Sequence, residues 1–190
     1  MILSLKRGYL GQYDSLMLAA AFCMAFFGFL RCGEFTVRDS SITATALKTG
    51  DITFSKNHKC FVLDMKISKA DVFRTGVKIR LTANKSSTCP VTCMKEYLSL
   101  RMQCGAKDYD PLFINSKGVI LSREFLLESI RKLLSKLGKN HELYSGHSFR
   151  IGAAITAAKV GVPDHLIKTL GRWSSDCYVR YIRTDSVKCE

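Results

Sequence analysis

The sequence predicts a mainly helical α+β fold that contains a small three-stranded antiparallel sheet. A long apolar run at residues 16–30 and amphipathic segments in the second half of the chain indicate helices. Three short segments have the composition or the alternation of strands, at residues 51–54, 60–67 and 77–81. With 190 residues, 47% of them hydrophobic and only three prolines, the chain suits one domain with a sizeable core.

The apolar run at residues 16–30 predicts a buried core helix. Asp14 and Ser15 can cap its start, and no polar residue interrupts it before Arg31, so we expect protein on most of its faces. The run is shorter than the about 18 residues that a membrane span needs, and no signal peptide is visible, so we expect no membrane association. Its last turn would place Arg31 and Glu34 on one face, where the carboxylate can hold the guanidinium.

Turn residues separate the three strand segments. Asn57 and His58 mark the first turn, and Gly76 belongs to a second loop that would span about residues 68–76. Such short connections predict antiparallel neighbours. Lys69 would lie at the mouth of this second hairpin.

Helical patterns fill the rest of the chain. The first lies at residues 92–102, and Ser122 can cap a second that would run to Gly138, a natural glycine after a helix end. Apolar residues three or four apart form a stripe along this second helix: Leu126, Leu127, Ile130, Leu133, Leu134 and Leu137. We interpret the stripe as core packing rather than as a dimerisation zipper.

Three more helices are expected near the C-terminus, at residues 146–159, 164–170 and 176–182. Alanines on the inner face of the first would let it pack closely against its neighbours. Pro163 suits the first turn of the second, because that turn needs no proline N–H.

The net charge and the cysteine pattern indicate what kinds of partner and site the protein can have. A net charge of +13 predicts attraction to polyanions such as nucleic acid, although a merely basic protein is the alternative. The eight cysteines are scattered, and the pair Cys89 and Cys93 has no second pair or histidine partner at zinc-finger spacing. We therefore expect free thiols in a reducing compartment, and neither disulfides nor a metal site.

The C-terminal part carries residue types that suit phosphate chemistry. His147 and Arg150 are three apart on one predicted helical face, Trp173 and Tyr181 follow, and Arg31 lies upstream. Cleavage of a phosphodiester by a side chain needs a nucleophile, cations on the non-bridging oxygens, a base and an acid. The chain has no carboxylate cluster that would hold magnesium, and arginine forks can take its place.

Each of these residues also has a purely structural interpretation. Arg31 could form a surface ion pair, His147 could simply start a helix, and Trp173 could belong to the core. Tyr178 lies one helical turn from Tyr181 and competes with it for the role of nucleophile. The alternatives can be separated only by the positions of the side chains in space.

Five motifs occur in one order along nearly the whole chain: Leu30-Arg31-Cys32-Gly33-Glu34, Ile67-Ser68-Lys69-Ala70-Asp71, His147-Ser148-Phe149-Arg150, Leu170-Gly171-Arg172-Trp173 and Tyr181-Ile182-Arg183. In residue types and in order they resemble the motifs of the catalytic domain of the tyrosine recombinases, also called the phage integrase family. Tryptophan followed by Tyr-Ile-Arg is similar to Cre recombinase, and Gly-Arg-Trp-Ser-Ser-Asp resembles eukaryotic mobile elements of the Crypton and DIRS types. The resemblance implies a tyrosine recombinase catalytic fold over residues 1–190, with the N-terminal core-binding domain absent.

The resemblance also implies the chemistry of the site. Tyr181 would attack the scissile phosphate, which gives a 3′-phosphotyrosyl link and a free 5′-hydroxyl. Arg31 and Arg150 would clamp the non-bridging oxygens, and His147 would assist the tyrosine or hold the phosphate. The indole N–H of Trp173 would donate a further hydrogen bond.

Two more residues receive roles from the family pattern. Lys69 would be the general acid for the leaving 5′-oxygen, although other lysines flank it in the hairpin. Glu34 would orient the first arginine of the site. The interval after Trp173 is one residue shorter than in the usual family pattern, which keeps Tyr178 open as a rival of Tyr181.

The function implied is that of a site-specific DNA recombinase or integrase, a DNA strand transferase without a cofactor. Its partners would be double-stranded DNA and further copies of itself on that DNA. We expect an intracellular protein, nuclear if the host is eukaryotic, and encoded by a mobile element. The alternatives are a catalytically idle DNA-binding module derived from such a recombinase and a type IB topoisomerase.

Overall fold

The computed structural model describes residues 1–39, 44–66 and 76–182, and it confirms a mainly helical α+β fold with a three-stranded antiparallel sheet. The helices are α1 (Ile2–Lys6), α2 (Gln12–Phe27), α3 (Cys32–Phe35), α4 (Pro90–Gln103), α5 (Arg123–Lys136), α6 (Ser148–Lys159), α7 (Asp164–Gly171) and α8 (Val179–Ile182). The strands are β1 (Ile52–Phe54), β2 (Cys60–Met65) and β3 (Val77–Thr82).

Helix α2 is the central buried helix that the apolar run predicts. Every side chain at positions 17–25 is almost fully buried. The helix begins at Gln12 rather than near residue 16, so Asp14 and Ser15 lie in its first turn and do not cap it. Among the described residues, no helix combines the length and the apolar character that crossing a membrane requires.

The end of α2 differs from the prediction, and the difference changes the position of Arg31. Phe29 takes a left-handed conformation with φ of 51°, and its N–H donates to the Phe26 carbonyl at 3.2 Å. The Leu30 N–H donates to the Ala25 carbonyl at 2.9 Å, which completes a Schellman motif. Arg31 therefore does not lie in the last turn of α2. It occupies the N-cap position of the separate short helix α3.

The sheet has the predicted strand order and direction. Strand β2 lies in the centre, antiparallel to both neighbours, and its Phe61 and Met65 are fully buried. Asp51, predicted as part of the first strand, belongs instead to a 3₁₀ turn before β1 and pairs with Lys66 at 3.0 Å. Lys69 lies outside the described residues.

Helix α5 begins and ends as predicted. The Ser122 Oγ accepts the Phe125 N–H at 3.1 Å, and Gly138 follows the helix end with φ of 64°. Four members of the apolar stripe are buried: Leu126, Ile130, Leu133 and Leu134. Leu137 is 44% exposed, so the stripe leaves the core at its last turn.

The C-terminal helices depart from the prediction at their boundaries. Helix α6 begins at Ser148, and Gly146 before it lies against α3, where an added Cβ would be 2.8 Å from the Cys32 Cβ. Pro163 occupies the N-cap of α7 rather than its first turn. The last predicted helix is divided into a 3₁₀ turn at Asp176–Tyr178 and helix α8.

Two clusters of buried side chains stabilise the fold. The larger is built around α2 and takes in the sheet, α4 and α5. The smaller has six buried members: Phe29, Ala153, Ala154, Ile167, Trp173 and Tyr178. It joins the turn after α2 to α6, α7 and the last 3₁₀ turn, and it therefore underlies most of the predicted site.

We expect Leu133→Ala to lower the free energy of unfolding by about 2–5 kcal/mol, because the substitution leaves a cavity in the core. The matched control Leu137→Ala should cost less than about 1 kcal/mol, since that side chain is largely solvated. Urea denaturation followed by circular dichroism measures both values. Equal losses at the two positions would contradict the packing interpretation of the stripe.

Candidate active site

Arg31 and Glu34 form the expected pair at the start of α3. The Arg31 Nη1 donates to Glu34 Oε1 at 3.3 Å, and its backbone N–H donates to Glu34 Oε2 at 2.8 Å. The carboxylate is 4% exposed, whereas the Arg31 side chain is 28% exposed. A buried acid therefore holds an arginine that still faces solvent. The pairing comes from helix capping rather than from a shared face of α2.

Arg150 lies in the first turn of α6 and is almost completely buried. Its Nη1 donates to the Phe29 carbonyl at 3.1 Å, its Nη2 donates to the Gly171 carbonyl, and its guanidinium lies 4.2 Å from the centre of the Trp173 ring. Burial and the positive charge of Arg31 lower the pKa of Arg150 to about 10. It stays charged at neutral pH, and Arg31 is close enough to repel it.

Arg172 is a third arginine of this cluster, and sequence reasoning did not select it. Its Nη2 donates to Glu34 Oε2 at 3.1 Å, and its Nη1 donates to the Gly28 carbonyl at 3.1 Å. A weaker bond of 3.3 Å runs from Nη2 to the Phe29 carbonyl. Burial lowers the pKa of Arg172, and the Glu34 carboxylate opposes that effect. The motif around Trp173 contains Arg172, but nothing in its spacing relates it to an acid 138 positions earlier.

Trp173 lies at the centre of an aromatic group and is 8% exposed. Its ring meets Phe29 edge-on, with centroids 6.3 Å apart, and tilts against Tyr178 at 5.7 Å and Tyr181 at 6.4 Å. The indole folds back over Gly171, where an added Cβ would lie 1.6 Å from a ring carbon. Glycine is therefore required at this position for Trp173 to contact Arg150 and both tyrosines.

The two competing tyrosines differ in burial. Tyr178 is 6% exposed and belongs to the smaller hydrophobic cluster. Tyr181, in α8, is partly buried and packs against the edge of the same cluster. Both rings contact Trp173, whose ring stacks on the Arg150 guanidinium.

His147 occupies the N-cap position of α6, one turn before Arg150, and its side chain is exposed. Its backbone N–H donates to the Ser145 Oγ at 3.2 Å. The contact of Gly146 with Cys32 brings the start of α6 against α3.

The assembled group is strongly cationic. Arg31 and Arg172 pair with the Glu34 carboxylate, and Arg150 shares the Phe29 carbonyl with Arg172. Three guanidiniums are therefore linked to one carboxylate. In the described part of the chain, no three acidic, histidine or cysteine side chains come together as a metal site would require. The arrangement can bind a phosphate through guanidinium and indole donors beside a phenol.

The chain belongs to the phage integrase family, because the model of that family matches residues 36–186, most of its length. The matched region includes His147, Arg150, Trp173 and Tyr181, and it begins after Arg31. No curated protein matches the sequence. The fold is that of a tyrosine recombinase catalytic domain.

Solved structures of recombinases share this fold at low identity. The XerH site-specific recombinase bound to its difH substrate has a TM-score of 0.70 and 18% identity, over 95% of this chain and 46% of that one. The XerA recombinase has a TM-score of 0.65 and 18% identity, over 96% and 57%. The Tn1549 transposon integrase in complex with circular intermediate DNA has a TM-score of 0.61 and 13% identity, over 95% and 57%. The chain spans about half the length of these proteins.

We expect Gly171→Ala to displace the Trp173 ring, because the new methyl group would overlap it. Trp173 is the single tryptophan of the chain, so fluorescence excited selectively at tryptophan reports on this site. Its emission should move to longer wavelength as water gains access. Gly33→Ala is the matched control, since an added Cβ there meets no atom within 4 Å. An unchanged spectrum in Gly171→Ala would contradict the described packing.

Proposed function

We propose that this protein is a site-specific DNA recombinase or integrase that cleaves and rejoins strands through a 3′-phosphotyrosyl intermediate. One observation carries the proposal: Arg150 stacks on Trp173, and the Trp173 ring contacts Tyr181. Arg172 connects this group to Arg31, because it shares the Phe29 carbonyl with Arg150 and the Glu34 carboxylate with Arg31. Cations, an indole donor and a phenol are the groups that metal-free phosphoryl transfer needs. Membership of the phage integrase family supports the same conclusion.

In the proposed reaction, the Tyr181 oxygen attacks the scissile phosphorus and the bond to the 5′-oxygen breaks. Arg31 and Arg150 bind the non-bridging oxygens, where negative charge grows in the transition state. The Trp173 indole N–H donates to the same phosphate. The step exchanges one phosphodiester for another, so the bond energy is kept and no nucleotide cofactor is needed.

Two proton transfers complete the proposed step. His147, exposed at the start of α6, accepts the phenolic proton of Tyr181 or holds the phosphate. Lys69 donates the proton that the leaving 5′-oxygen takes up. Glu34 does not touch the DNA in this scheme, because it is buried and binds Arg31 from behind.

Burial supports Tyr181 over Tyr178 as the nucleophile. A nucleophile must reach a phosphate at the protein surface, and Tyr178 is held inside the smaller cluster at 6% exposure. Tyr181 lies at the edge of that cluster and is more accessible. The Tyr-Ile-Arg context of Tyr181 favours the same choice.

The proposed partner is double-stranded DNA, bound by several copies of the protein. A net charge of +13 favours phosphate contacts, since each neutralised phosphate releases counterions. XerH and the Tn1549 integrase are each seen with DNA. We propose that the protein acts inside the cell, in the nucleus of a eukaryotic host, and serves the movement of a mobile element.

We expect the protein to form a denaturation-resistant adduct with a pool of nicked random-sequence duplexes from which the cleaved fragment diffuses away. Tyr181→Phe should abolish the adduct, because it removes the attacking oxygen, and Tyr178→Phe should retain it. Denaturing gel electrophoresis of labelled DNA measures both. Loss in Tyr178→Phe with retention in Tyr181→Phe would exchange the two roles.

The same assay separates the alternative functions. Binding without any adduct would identify a catalytically idle DNA-binding module. Relaxation of supercoiled DNA by a monomer, with no recombinant products, would identify a type IB topoisomerase. Each outcome would overturn the proposed recombination.

We expect adduct formation to proceed at the same rate with and without EDTA. The proposed site neutralises the phosphate with guanidiniums, and the described residues offer no cluster suited to a divalent ion. The measurement is the single-turnover rate on the nicked substrate after dialysis against chelator. A rate that collapses in EDTA and returns with Mg²⁺ would contradict the arginine-based scheme.

A further inference from the structure

We propose that Arg172 is a positioning residue that keeps Arg31 available for phosphate by sharing the Glu34 carboxylate. The proposal rests on the proposed function, in which Arg31 binds the scissile phosphate. It gives Arg172 a role that acts through Arg31, because the terminal nitrogens of Arg172 donate to the Glu34 carboxylate and to backbone carbonyls.

The two oxygens of Glu34 are used differently. Oε1 accepts the Arg31 Nη1 at 3.3 Å, and Oε2 accepts both the Arg31 backbone N–H at 2.8 Å and the Arg172 Nη2 at 3.1 Å. An arginine and a carboxylate otherwise favour a fork with two parallel hydrogen bonds. Because the Arg172 Nη2 and the Arg31 backbone N–H both occupy Oε2, the Arg31 guanidinium binds Glu34 through its Nη1 at Oε1.

This geometry has an electrostatic consequence. A fork between Arg31 and Glu34 would cancel the charge of Arg31 and engage two of its donors. With Arg172 on the same carboxylate, one negative charge is divided between two guanidiniums. Arg31 then keeps both excess positive charge and donors for an anion on its exposed side.

A purely structural role, in which Arg172 only attaches its segment to the turn after α2, explains the residue less well. Its Nε is buried and has no hydrogen-bond partner among the described residues. A smaller neutral donor could bind the Gly28 carbonyl without burying an N–H that lacks an acceptor. Only a cation can share the negative charge of Glu34.

The test measures inorganic phosphate binding through the Nε–Hε resonance of Arg31, with wild type, Arg172→Gln, Glu34→Gln and the double variant. We expect Arg172→Gln to raise the Kd for phosphate on the order of tenfold, because Glu34 would then engage a second donor of Arg31 and phosphate would lose one charge-assisted hydrogen bond. In the Glu34→Gln background the same substitution should cost several times less, because no carboxylate remains to be shared. An unchanged Kd, or equal losses in both backgrounds, would overturn the proposal.

Arg172→Lys keeps the charge but not the guanidinium that reaches four acceptors, and it is the second variant if Arg172→Gln folds poorly. Arg172→Lys should keep most of the phosphate affinity. A purely structural role predicts that it loses as much affinity as Arg172→Gln. Lys168→Gln removes a charge from α7, the helix that Arg172 follows, and controls for long-range electrostatics. Arg101→Gln removes another buried arginine, which donates to the Pro111 carbonyl, and controls for destabilisation alone. Neither control should raise the Kd comparably.

The rate of adduct formation provides a separate readout. Arg172→Gln should slow the single-turnover rate by a factor similar to its effect on phosphate binding. The coupling is the difference between the effects of Arg172→Gln with and without the Glu34 carboxylate. If this coupling is found but the wild type forms no adduct, the proposed strand transfer is wrong and the role of Arg172 is kept. If wild type forms the adduct and the coupling is absent, the role of Arg172 fails and strand transfer stands.

Discussion

The carbonyl of Phe29 accepts hydrogen bonds from two buried arginines, and the arrangement of the whole site depends on this shared acceptor. It belongs to the turn after α2, where the last carbonyls of a helix lack partners in the helix itself. Those carbonyls carry the negative end of the helix dipole and attract cations. Arg150 from α6 and Arg172 after α7 both donate here, at 3.1 and 3.3 Å, so one helix end holds two distant parts of the chain.

The burial of several guanidiniums in one place is costly, and the structure offsets the cost in three ways. Glu34 supplies a buried negative charge to two of them. Backbone carbonyls accept from Arg150 and Arg172, and the Trp173 ring stacks on the Arg150 guanidinium. Repulsion is not removed completely, since burial and Arg31 still lower the pKa of Arg150. A phosphate would supply the missing negative charge, which is why the proposed substrate suits the site.

The sequence predicted those features whose physical cause is local. Period-two alternation specifies strands, and a serine before an apolar stripe specifies a helix start, so the sheet and α5 were predicted correctly. The Arg31–Glu34 pair was also predicted, but its location was wrong. A glycine commonly ends a helix in the left-handed conformation, and here Phe29 does so one residue after Gly28. Composition alone therefore extended α2 too far.

The sequence by itself determined the fold class, the element order and the residue types available for phosphate chemistry, because periodicity and motif order are written along the chain. Only the tertiary structure decided that Arg172 joins Arg31 on Glu34, that Gly171 makes room for Trp173, and that Tyr178 is more buried than Tyr181. The physical reason is that these contacts use backbone carbonyls and close approach between distant segments. Every residue has a carbonyl, so such acceptors leave no mark in the sequence.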